Sequence, residues 1–189
     1  MAMMRAMSTT QDTAPAASEP AAQPASTEDL LAKLDALGIE TTTHRHPAVF
    51  TVEESKKLCG DLPGGHIKNL FLRDKKRNLW LLTALEDRTL DLKALRHVLG
   101  AKGNLSFGDA ELLMDALGVL PGSVTPFAVI NDPDGRVTMV LDKGVLDHDP
   151  VNAHPLVNDA TTAIAPGDLL AFLEAVGHAP RILDLDAPD

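Results

Sequence analysis

The chain has 189 residues, 44% of them hydrophobic, which is enough for one buried core and fits a single domain. No apolar stretch approaches the roughly 18 to 20 residues of a bilayer crossing, which excludes a membrane-spanning helix; a lone cysteine, Cys59, excludes an internal disulfide and a multi-cysteine zinc site. The net charge is −10, yet residues 56–102 hold eleven Lys and Arg against five acids, a local balance of +6 that leaves −16 for the rest.

Residues 1–26 are Ala, Pro, Ser, Thr and Gln with almost no large apolar side chain after Met7, and predict a disordered tail ahead of a domain at 27–185. Arg5 is the only basic residue of that tail and no apolar run of secretory length follows it, so a cytoplasmic location is expected. Leu30, Leu31, Leu34 and Leu37 recur at helical spacing behind Ser26 or Thr27 as a cap, with Gly38 suited to the left-handed position at the end. Ile39 to His44 reads as a strand, His46 to Phe50 as a bend, and Thr51-Val-Glu-Glu54 as a capping box opening a short helix that ends near Gly60.

His66 to Arg73 and Leu79 to Leu85 are apolar runs around the polar Asp74 to Asn78, a hairpin pattern in which Lys68 and Leu70 share one face and Asn69 and Phe71 the other. Asp91 predicts the cap of a helix through Leu99 closed by Gly100, and Asp109 that of a second through Leu117 closed by Gly118. Phe127 to Asn131 and Arg136 to Leu141 flank Asp132-Pro-Asp-Gly135 and predict a second hairpin. Thr161 to Ala165 predicts a strand, and Pro166 the start of a last helix ending at Gly177. Hairpins instead of regular strand–helix alternation make the class α+β.

The chemistry is constrained by what is missing from the sequence. There is no G-x-S-x-G elbow, Cys59 has no assignable base, and neither Walker nor dinucleotide glycine loops occur. His44 and His46 face one way on a strand, but no third ligand has recognisable spacing, so neither metal nor cofactor is expected. Gly122-Ser123-Val124-Thr125-Pro126 has the form of a tight loop whose backbone N–H groups can meet an oxyanion. By itself it is also an ordinary turn before a strand. Lys68 lies among apolar neighbours and needs an anion or solvent for its ammonium.

Three segments together resemble one family: Lys68-Asn69 on a strand, Gly122 to Pro126, and His154-Pro-Leu-Val-Asn158-Asp-Ala-Thr161. They match the YbaK-type aminoacyl-tRNA deacylases, whose fold also forms the editing domain inserted in bacterial prolyl-tRNA synthetases. His46 to Glu54 and Lys68 to Lys76 are most similar to the free-standing ProXp-ala branch. The resemblance implies a single mixed-sheet α+β domain with flanking helices that removes alanine from tRNA(Pro). It assigns catalysis to Lys68, Gly122 and His154, and substrate contacts to Asn69, Ser123, Val124, Thr125, Pro126, Asn158 and Thr161. The implied partners are the acceptor end of mischarged tRNA(Pro) and prolyl-tRNA synthetase. A cysteinyl-tRNA(Pro) deacylase and a non-catalytic binding module of the same fold are the competing readings.

Overall fold

A computed structural model of the chain describes residues 23–48 and 62–185. The bulk of the N-terminal tail, Cys59 and the short helix expected from Thr51 lie outside the described residues. Ahead of the first helix, the Ala25 N–H donates to Asn131 Oδ1 at 2.7 Å, which anchors the chain at a position that composition assigned to the tail.

Capping chemistry sets the helices where the sequence predicts them. Helix α1, Thr27–Ala36, opens on a reciprocal box in which Ser26 and Asp29 each accept from the other's backbone N–H, and Gly38 follows it at φ 71°. Helix α2, Leu92–Leu99, and helix α3, Ala110–Leu117, are capped by Asp91 and Asp109 and closed by left-handed Gly100 and Gly118. Helix α4, Pro166–Ala175, carries proline in its first turn, where no intrahelical N–H is needed.

Among the described residues, eight strands form one mixed sheet in the order β1-β7-β6-β2-β3-β5-β8, with β4 set against the far end of β2. They are β1 Thr41–Arg45, β2 Gly65–Arg73, β3 Leu79–Leu85, β4 Ser106–Phe107, β5 Val137–Asp142, β6 Val151–Ala153, β7 Ala160–Ile164 and β8 Arg181–Leu183. The expected β2–β3 hairpin is present, with Asn69 opposite Thr83 and Lys68 opposite Ala84. Its turn is held by buried Asp74, whose carboxylate accepts from Lys76 N, Asn78 N, Asn78 Nδ2 and Lys102 N. Lys75, Lys76 and Arg77 are thereby left exposed at the tip.

The apolar run of β3 is explained by burial on both faces. Leu79 and Leu81 join the main core with Phe71, Phe127, Met139, Leu141 and residues of α1, α3 and α4. Trp80 and Leu82 join a smaller cluster with Leu72, Val140 and Leu95 and Leu99 of α2. Trp80 is buried there, so it offers no stacking surface to a nucleobase.

One expectation fails. Phe127 to Asn131 is not a hairpin strand but part of a 3-10 helix, Pro126–Asn131, and β5 pairs in parallel with β3. Thr125 caps that helix through its hydroxyl and Pro126 presets its first φ, while Phe127, Ala128 and Val129 are buried whichever way they point. A short apolar run of this kind carries no period that separates strand from helix. The turn signal itself was sound: Asp132 accepts from Val137 N at 2.7 Å and Arg136 N at 3.1 Å, and Gly135 takes φ 66°.

Candidate active site

The neighbours of β2 determine what its motif residues can reach. Along the edge facing away from β3, β6 pairs only with Gly65 and His66, and β4 only with Leu72 and Arg73. The Gly108 N–H, just past β4, also donates to the Phe71 carbonyl at 2.9 Å, and the described ladders leave Ile67 to Leu70 of that edge uncovered. The junction with β6 is tight: a Cβ on Gly64, at φ 105°, would stand 2.0 Å from the Pro150 carbonyl oxygen, and the Gly65 N–H donates to that same oxygen at 2.8 Å.

Lys68 and Asn69, adjacent in sequence, project from opposite faces of β2. Asn69 Nδ2 donates to the Val124 carbonyl at 3.0 Å, while its Oδ1 accepts from Thr83 Oγ1 at 2.6 Å. Asn69 therefore clasps the Gly122–Pro126 loop to the centre of the sheet. In that loop Gly122 is exposed at φ 90°, Ser123 and Thr125 are buried, and the Ser123 N–H closes a turn on the Leu120 carbonyl at 3.0 Å. On the other face, the half-buried Lys68 ammonium donates to the Arg88 carbonyl. Arg88 is in turn fixed by an ion pair of 2.8 Å between its Nε and buried Asp142.

A cavity of about 20 Å³ lies between β2, β6 and β7, lined by His66, Ile67, Asn69, Glu86, Asn152, Ala153, His154 and Thr161. His154 Nδ1 lies 3.0 Å from the Ala160 carbonyl, which can only accept, so Nδ1 carries the proton of the neutral ring. Thr161 Oγ1 lies 2.9 Å from His46 Nε2, whose Nδ1 donates to the Pro47 carbonyl at 2.8 Å. The His46 and His154 rings stand 6.4 Å apart. Asn158 is half-buried in the turn between His154 and β7.

Two of the motif segments thus meet at one cavity, one through Asn69 and the other through His154 and Thr161, and the third is tied to Asn69 at Val124. Lys68 is not among the residues that line the cavity, although His66, two residues before it on the same face of β2, is. Sequence reasoning missed Asn152, His66, Thr83 and Glu86. Period-two spacing from His154 back to Asn152 was the available signal, but β6 is only three residues long. Among the described residues no group of three His, Cys, Asp or Glu is arranged to hold a metal ion.

Larger clefts occur elsewhere. One of about 590 Å³ at the hairpin tip is lined by Arg73, Arg77, Arg136, Asp109, Glu111 and Asp115 among others. There Arg136 pairs with Asp115 at 2.5 Å and Arg73 approaches Asp109 at 3.8 Å, so much of its charge is already neutralised.

Burial holds the His154 imidazole below its ordinary value; the bond to Ala160 opposes this and the neighbouring His46 reinforces it. The folded protein therefore keeps His154 neutral under conditions where the unfolded chain protonates it. Stability is expected to fall as pH drops below about 6.5, until the depressed folded value is passed, by at most about 1.4 kcal/mol per pH unit from this group. Urea unfolding of the parent and of His154→Gln across this range checks the sign: the parent should show the steeper acid-side loss.

A family model described as an aminoacyl-tRNA editing domain matches residues 46–172. The chain belongs to the aminoacyl-tRNA editing domain family. This editing domain is 44% identical over 162 residues to mouse prolyl-tRNA synthetase associated domain-containing protein 1, covering 84% of this chain and 95% of the relative. It is 36% identical over 157 residues to the prolyl-tRNA editing protein ProX of Acetoanaerobium sticklandii, covering 82% of this chain and 95% of that one. A solved structure described as a candidate trans-editing enzyme for prolyl tRNA synthetase superposes with a TM-score of 0.66 at 22% identity, over 84% of this chain and 94% of that one. At that identity the likeness concerns the fold, which for this editing domain is the α+β mixed sheet described above. None of its described helices is long and apolar enough to cross a membrane.

Proposed function

We propose that the chain is a trans-editing hydrolase that removes alanine from mischarged tRNA(Pro). The observation that carries this reading is the convergence of Asn69 with His154 and Thr161, from two separated motif segments, on one small polar cavity, with the third segment tied to Asn69 through the Val124 carbonyl. The names of the mouse and bacterial relatives, both referring to prolyl-tRNA, support the choice of tRNA.

An aminoacyl ester is already activated, so the domain needs to hold it, stabilise the oxyanion and admit a water. In this reading the Gly122–Pro126 loop supplies backbone N–H groups to the carbonyl oxygen, with Ser123, Val124, Thr125 and Pro126 shaping the approach. Asn69 fixes the loop, Lys68 holds a terminal phosphate, and Asn158 and Thr161 orient the turn that carries His154. Water adds to the ester carbon, the bond to the ribose oxygen breaks, and that oxygen takes a proton. Alanine and tRNA with a free hydroxyl leave. No protein nucleophile or cofactor enters.

A synthetase pocket made for proline cannot strongly reject the smaller alanine by binding alone, whereas a second pocket can reject proline by size. His154 is the wall of that second pocket. His154→Ala is expected to shrink discrimination against residues one or two methylenes larger than alanine by about 1 to 3 kcal/mol. Single-turnover hydrolysis of alanyl-, seryl-, cysteinyl- and prolyl-tRNA(Pro) by parent and variant measures this. A uniform fall with unchanged ratios would move His154 from the wall to the reacting ester or water. Preference of the parent for cysteinyl-tRNA(Pro) would assign the domain to cysteine editing, and release of no amino acid would make it a binding module.

A further inference from the structure

The side chains around the cavity are arranged to accept hydrogen bonds. Asn152 is buried, and its Nδ2 donates to the Pro63 carbonyl at 3.0 Å, which fixes the orientation of the amide. Among the described residues its Oδ1 is then a buried acceptor with no donor. His154, protonated at Nδ1, keeps the lone pair of Nε2. His66 donates through Nε2 to the Leu62 carbonyl at 3.1 Å, which in the neutral ring leaves Nδ1 as an acceptor. With His46 neutral, the Thr161 hydroxyl proton is drawn to His46 Nε2, so the oxygen turns lone pairs to its other neighbours. Both ends of the Asn69 amide are committed to Val124 and Thr83. The carboxyl group of Glu86 also lines the space.

A cavity of about 20 Å³ takes one group of roughly the size of a water molecule. A methyl group would fit by size, but it would leave the Asn152 oxygen buried and unsatisfied, which is unfavourable. An ammonium group has the same bulk and brings three donors and a positive charge.

We infer that this cavity is an ammonium pocket, in which Asn152 Oδ1 accepts a hydrogen bond from the free α-amino group of the ester-linked amino acid. The inference deepens the proposed deacylase reading and rests on it for the identity of the ligand. It makes Asn152 a binding residue that selects free aminoacyl groups over N-blocked ones. Amino-acid side-chain size is then judged outside this cavity, on the other side of the His154 ring.

The test is binding, so that it does not depend on turnover. Acceptor-stem minihelices ending in a non-hydrolysable 3′-amide are prepared with alanyl, N-acetylalanyl and lactyl groups, the last with a hydroxyl in place of the ammonium. The parent protein should bind the alanyl form about ten- to a hundredfold more tightly than the other two, the range expected for a hydrogen bond to a charged group. Asn152→Ala should lose that preference while keeping its affinity for the lactyl form, which also reports an intact fold. Asn152→Asp, which keeps an acceptor, should retain the preference. Equal binding of the three forms by the parent, or equal losses for all three in Asn152→Ala, overturns the inference. Asn152-dependent preference for the ammonium in a protein that hydrolyses no aminoacyl-tRNA would instead keep the pocket and remove the deacylase reading.

Discussion

Asp142→Ala is expected to destabilise the fold by about 3 to 5 kcal/mol, the range for stranding one member of a buried ion pair. Asp142 is 1% exposed and its partner Arg88 12%, so little solvent is available to compensate the guanidinium left behind. The same carboxylate accepts from the Gly144 N–H at 3.4 Å, at the head of the 3-10 helix Lys143–Asp147, so a turn is loosened as well. For a chain of this size the change corresponds to a fall in melting temperature of about 6 to 20 °C. Thermal and urea unfolding measure it. A loss below about 1 kcal/mol would show that the pair behaves like an exposed one. Because the Arg88 carbonyl accepts from Lys68, a variant that remains folded should also bind tRNA less well.

Lys68→Ala is expected to weaken single-turnover deacylation by about ten- to a hundredfold, equivalent to one hydrogen bond to a charged group. One of the three ammonium donors is taken by the Arg88 carbonyl, which aims the group and leaves two for an incoming phosphate. The loss should appear in the concentration of tRNA needed for half-saturation. Ratios between alanyl, seryl and cysteinyl substrates should stay fixed, because Lys68 does not line the cavity. Rates within a fewfold of the parent would make Lys68 a surface lysine, and altered ratios would bring its ammonium within reach of the amino-acid group.

What could be read from the sequence followed local chemistry. Ser26, Asp91 and Asp109 announce helix starts, Gly38, Gly100 and Gly118 the ends, and the apolar runs on either side of Asp74 to Asn78 a hairpin, because each acts through its own backbone. Strands of two or three residues such as β4, β6 and β8 exist only through their pairing and have no pattern of their own. The same limit hid Asn152, whose role depends on a partner, Pro63, 89 residues away. The alternation of β2 did reveal that Lys68 and Asn69 part company. It could not reveal that Asn69 grips the Val124 carbonyl, since the intervening chain passes through two helices first.

The interrupted edge of β2 places stability and access in opposition. Each further bridge between β6 or β4 and residues 67–70 would add backbone hydrogen bonds worth about 0.5 to 1.5 kcal/mol apiece. The same bridges would seal the one stretch of strand flanked by Lys68 on one side and Asn69 on the other. A variant selected only for thermal endurance would therefore be expected to lengthen these ladders and grow slower at its task, as is common where working sites are kept less than optimally stable. The shortness of β4 and β6 is, in this sense, a doorway held open by leaving the sheet unfinished.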